Sequence, residues 1–81
     1  MARILIAEDS PDIRALIEML LQAEGHEVES VSDGRAAVRA ARDGPELIVM
    51  DLSLPIISGW EAARQIRSDP ATASIDRKSV V

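Results

Sequence analysis

Two short apolar runs that both end on carboxylates constrain this chain more than any other feature. Arg3-Ile4-Leu5-Ile6-Ala7 runs straight into Glu8-Asp9, and Leu47-Ile48-Val49-Met50 runs into Asp51. Short runs that are apolar throughout suit strands covered on both faces, as parallel strands between helical layers are. A carboxylate at the mouth of such a strand is costly unless it has a cation, a hydrogen-bond network or a chemical role. If the two strands lie side by side and parallel, three carboxylates meet at one end of the sheet.

The segments between the runs read as helices and one further strand. Ser10-Pro11-Asp12 supplies an N-cap, a proline at the first helical position and an acid suited to the helix dipole. Ile13, Leu16, Ile17, Leu20 and Leu21 then fall on one stripe, and Gly25 marks the end. Glu27-Val28-Glu29-Ser30-Val31 alternates as a half-exposed edge strand does. Ser32-Asp33-Gly34 opens a second helix with Ala36, Ala37, Ala40 and Ala41 on its inner face, stopped by Gly44-Pro45. Ser58 and Glu61 carry a capping-box signature for a third, which buries Ala62, Ala63 and Ile66 and ends at Asp69-Pro70. The order is βαβαβα, which makes parallel strands with right-handed crossovers.

Length and charge narrow the function. Eighty-one residues make one small domain, and a net charge of −5 argues against nucleic acid or an anionic membrane as partner. The basic residues, Arg14 among them, read mostly as solvated helix faces, and His26 and the lone aromatic, Trp60, as surface or partly exposed residues. Cysteine is absent, so disulfides and thiolate metal sites are excluded. No apolar run approaches the roughly 20 residues of a membrane span, and a cytoplasmic location is expected.

In an open parallel sheet, ligands bind beyond the carboxyl ends of the strands, where the strand order reverses. With the order 2-1-3 that crevice lies between the first and third strands, and Glu8, Asp9 and Asp51 face it. Mg²⁺ lets clustered carboxylates stay ionised, and it prefers one or two carboxylates with waters and phosphate oxygens. Phosphoryl chemistry is the match.

Arg3-Ile-Leu-Ile-Ala-Glu-Asp9, Val49-Met-Asp51-Leu-Ser-Leu-Pro55 and Ser58-Gly-Trp-Glu61 together resemble the receiver domain of bacterial two-component response regulators. The resemblance covers residues 1 to about 75 and implies a flavodoxin-like, doubly wound parallel sheet. It implies that Asp51 is a phosphoacceptor, taking a phosphoryl group from a sensor histidine kinase or a histidine phosphotransfer protein. It further implies that Asp9 and Asp51 ligate Mg²⁺, with the backbone carbonyl of Ser53 as another ligand and Glu8 acting through water. Pro55 and Gly59 are expected to shape the loop that starts the third helix beside the site. The module signals and is not a conventional enzyme.

The resemblance also sets out what to look for beyond it. The family's fourth strand ends in Ser or Thr, and its fifth in Lys, and both contact the phosphoryl group; Lys78 substitutes for neither on spacing. The match stops near Ile75, so the fourth and fifth strands are expected to be missing. Residues 76–81 then form a non-family tail of artificial origin, in which Ser79-Val80-Val81 at most adds a short edge strand. The third strand is left as an open apolar edge unless the tail covers it, and such an edge predicts self-association. Two other readings compete with the phosphoacceptor: an inert or interaction-only fragment, and an Mg²⁺-dependent phosphatase of the haloacid-dehalogenase kind. The latter wants Asp-x-Asp after its first strand, whereas this chain has Asp51-Leu-Ser53.

Overall fold

The computed structural model describes residues 1–80. It places β1 (Arg3–Ala7), α1 (Pro11–Ala23), β2 (Glu27–Val31), α2 (Gly34–Ala41), β3 (Leu47–Asp51), α3 (Gly59–Ser68) and β4 (Asp76–Val80) in succession. The strands form one parallel sheet in the order β2-β1-β3-β4. The 2-1-3 arrangement expected from the sequence is therefore present, with the order reversing between β1 and β3.

Side chains alternate across the sheet and assign the helices to its faces. Leu5 and Ala7 of β1 and Ile48 and Met50 of β3 point one way, into a core closed by Ala37 and Ala41 of α2 and by Leu54, Ala62 and Ile66. The alanine face of α2 brings that helix close to the strands, as its sequence indicates. Ile4 and Ile6 point to the opposite face, which α1 covers through β1 and β2. There Ser30 Oγ of β2 donates to Glu18 Oε1 of α1.

The stripe of α1 is only partly used. No residue of the helix is buried; Ile17 and Leu21 are half-buried, while Ile13, Leu16 and Leu20 stay about half exposed. The reason is geometric: a single helix lies over this face, whereas α2 and α3 pack against each other as well as against the other face.

Three expectations are corrected. The sheet does not stop at β3, because residues 76–80 run parallel to it, from Leu47 opposite Asp76 to Asp51 opposite Val80. The tail thus covers the edge of β3, the circumstance in which the sequence leaves no open edge there. The sequence allows at most a short edge strand at Ser79-Val80-Val81; backbone pairing needs no apolar alternation, so the strand begins earlier, at Asp76. Among the described residues there is no fifth strand, and Val81 lies outside them. The capping box at α3 is half formed. Ser58 Oγ accepts the N–H of Glu61, but the Glu61 carboxylate turns to Arg64 and Gln65 instead of returning to the cap. His26 is half-buried, and its Nδ1 accepts the N–H of Ala2 at 3.0 Å, fastening the start of β1.

Candidate functional site

Register brings the carboxylates level. Ala7 pairs with Met50, so the next residues on the two strands, Glu8 and Asp51, leave the sheet side by side. One carboxylate oxygen from each of Glu8, Asp9 and Asp51 lies within 4.8 Å of the others. Glu8 is buried, Asp51 half-buried and Asp9 exposed, so the cluster opens from the sheet end toward solvent.

Short-range bonds set each group. The Glu8 N–H donates to Val31 O at 3.1 Å, tying the end of β1 to β2. Its carboxylate accepts the N–H of Ser10 at 3.0 Å, and its carbonyl accepts Arg14 Nη1 at 2.9 Å. Ser10 caps α1 as its sequence predicts, through a long contact of 3.5 Å from the Ile13 N–H to Ser10 Oγ. On the other strand, Asp51 Oδ1 accepts the N–H of Ser53 at 3.0 Å, a local turn that holds the carboxylate at the strand mouth.

Two glycines let α2 and α3 close on this corner. A Cβ at Gly59 would lie 2.1 Å from the carbonyl oxygen of Asp51, and its N–H donates to Leu52 O at 2.9 Å. A Cβ at Gly34 would lie 2.0 Å from Ile57 O, and its N–H reaches Pro55 O at 3.2 Å. The loop between β3 and α3 is thus gripped from both sides, and Ile56 within it takes φ +71°.

The electrostatics are those of an acidic cluster able to take a cation. Burial pushes the Glu8 carboxyl up from its ordinary value, the nearby Asp51 and Asp9 push it the same way, and the Ser10 N–H opposes them. Among the described residues the ion pairs are Arg42–Asp69 and Arg64–Glu61, so no basic side chain pairs with the three acids. The donor set is all carboxylate oxygen, hard and partly open to water, and it fits Mg²⁺. A groove of about 430 Å³ lined by Arg3, Glu27, Glu29 and Asp43 lies toward the amino ends of the strands, away from this cluster.

Glu8, Asp9 and Asp51, singled out from the sequence, are brought together; Ser53 sits beside them on the loop, bonded through its N–H. Sequence reasoning missed Arg14, which it placed on a solvated face. A cue existed: a cation close to a helix N-terminus opposes the helix dipole and needs a local acceptor. Gly34 carries no sequence cue beyond its place at a helix start.

A family model, the response regulator receiver domain, matches residues 4–76. The transcriptional regulatory protein TcrA of Mycobacterium tuberculosis is 44% identical over 66 residues, which cover 80% of this chain and 26% of that protein. Protein PilH of Pseudomonas aeruginosa is 37% identical over 76 residues, covering 93% of this chain and 63% of its own length. The chain therefore spans between about a quarter and under two thirds of these relatives. Among solved structures, the receiver domain of a Pseudomonas aeruginosa sensor histidine kinase, with magnesium coordinated in its active-site cleft, matches with a TM-score of 0.94 at 33% identity. That match covers 99% of this chain and 66% of the other. Response regulator TrrA of Thermotoga maritima, in complex with Mg²⁺ and BeF, matches with a TM-score of 0.82 at 35% identity, over 100% of this chain and 68% of the other. The chain belongs to the response regulator receiver domain family, the signalling modules of two-component systems. No helix among the described residues is long and apolar enough to cross a membrane.

Proposed function

We propose that the chain is a phosphoaccepting receiver module in which Asp51 takes a phosphoryl group from a phosphohistidine on a partner kinase or phosphotransfer protein. The observation that carries this reading is the convergence of Glu8, Asp9 and Asp51 at the carboxyl ends of adjacent parallel strands. An Asp51 carboxylate oxygen attacks phosphorus, the phosphorus–nitrogen bond breaks with its electron pair staying on nitrogen, and the histidine, protonated on its other ring nitrogen, leaves as neutral imidazole, giving an acyl phosphate on Asp51. The Ser53 N–H on Oδ1 fixes the carboxylate plane, and Oδ2 accepts no hydrogen bond among the described residues, which leaves it available for attack.

Asp9 and Asp51 would hold Mg²⁺ directly, the Ser53 carbonyl would add a ligand, and Glu8 would act through a water. The ion supplies charge neutralisation for the carboxylates and the transferring phosphoryl oxygens. Everything else is positioning, done by the strand ends and the glycine-gripped loop. A cytoplasmic location goes with this reading, because a kinase partner of this class phosphorylates from inside the cell. The experiment is incubation with Mg²⁺ and acetyl phosphate, followed by intact-mass and peptide analysis. One added phosphoryl group on the wild type, absent from Asp51→Asn, is expected. No addition, or addition that survives Asp51→Asn, overturns the reading.

A further inference from the structure

We propose that Arg14 is a positioning residue for the divalent-cation site, acting through the backbone that joins Glu8 to Asp9; the inference rests on the reading above. The carbonyl that Arg14 Nη1 grips at 2.9 Å belongs to the peptide unit between those two acids. A peptide unit is planar, so fixing that oxygen fixes the plane from which Asp9 departs toward the cluster.

The grip is part of a closed ring. The Arg14 N–H donates to Ser10 O at 2.9 Å, the Ser10 N–H donates to the Glu8 carboxylate at 3.0 Å, and the Arg14 guanidinium returns to the Glu8 carbonyl. The strand end and the first turn of α1 are thereby locked as one corner. The guanidinium bonds a carbonyl and, among the described residues, forms no ion pair with Glu8, Asp9 or Asp51. It therefore orients the acids without competing for them. A cation placed so close to a helix start opposes the dipole, a local cost that the carbonyl contact offsets.

The test is isothermal titration of the whole chain with MgCl₂, comparing wild type, Arg14→Met and Arg14→Lys. Arg14→Met keeps the length and apolar stem but no donor, and its dissociation constant for Mg²⁺ is expected to rise about tenfold, the scale of lost outer-shell support. Arg14→Lys, which keeps a charged donor, is expected to recover most of that loss. A purely structural role predicts instead that both variants lower the metal-free urea midpoint while leaving the dissociation constant unchanged, and that result overturns the inference. If Arg14→Met does not hold its fold, Arg14→Gln, too short to reach the Glu8 carbonyl, takes its place beside Arg14→Lys. A dissociation constant raised about threefold or more by the shortened side chain supports the inference, and one within about threefold of wild type overturns it. If the wild type itself fails to bind Mg²⁺, the metal-site reading fails and takes this inference with it. Wild-type binding that both variants share sinks this inference only.

Discussion

Ile56 is held at φ +71°, where a β-branched side chain crowds its own backbone. The left-handed conformation costs an L-residue about 1–2 kcal/mol, and glycine gives back about 0.5–1 kcal/mol through its larger loss of freedom on folding. Ile56→Gly is therefore expected to stabilise the protein by about 0.5–1 kcal/mol, read from the urea midpoint. Glu61 makes the opposite kind of contribution. Hydrogen bonds from Arg64, and then from Gln65, hold its carboxyl down to about 2 against an ordinary 4.5. The folded-state value lies below the unfolded one, so this support is fully present above pH 4.5 and is lost as pH falls through about 2. Melting curves from pH 5 to 2 should show a steeper fall for the wild type than for Glu61→Gln, a difference that shrinks in high salt. At this scale the acids were legible because carboxylates that end apolar runs have few innocent explanations. Arg14 was legible only in part: its place near a helix start signals a local acceptor, but nothing in residue type or spacing says that the acceptor is the Glu8 carbonyl.

Helix α3 begins against β3 because Gly59 has no side chain to keep it away. Gly59→Ala forces a Cβ onto the Asp51 carbonyl. It is expected to cost about 1–3 kcal/mol by overpacking, and to weaken Mg²⁺ binding because the strand mouth itself must shift. Paired urea and titration measurements check both halves; a stability loss with unchanged binding would uncouple the corner from the site. The three helices were readable from caps and periodicity. Ser10 and Ser58 cap where expected, and Ala37 and Ala41 are fully buried. Strand β4 was readable only as far as a short edge at Ser79-Val80-Val81; its start at Asp76 is a matter of backbone pairing, and side-chain pattern carries no record of that. The fate of the Glu61 carboxylate was equally hidden, because Arg64 and Gln65 lie as near along the helix as the cap does.

Over the whole molecule the two faces of the sheet are unequal. The α2–α3 face is closed, whereas α1 leaves Ile13, Leu16, Met19 and Leu20 about half exposed. Ile66→Ala should accordingly cost about 2–5 kcal/mol, and Leu16→Ala well under half as much, as measured by urea unfolding. Similar costs for both would show that α1 packs more tightly than its exposure indicates. Mg²⁺ should act on the molecule as a whole: at about a hundred times its dissociation constant it should add about 2.7 kcal/mol of stability. Asp9→Asn and Asp51→Asn should each abolish most of that gain, visible as loss of the Mg²⁺-dependent rise in melting temperature.

The pairing of Ala7 with Met50 has one further consequence. A shift of one residue between β1 and β3 would turn Ile48 and Met50 out of the core and carry Asp51 out of step with Glu8. A cation held through all three carboxylates would thus be blind to misaligned chains. The stoichiometry of Mg²⁺ uptake in a refolded sample would then count the correctly assembled molecules, and the site would serve as a built-in gauge of folding fidelity.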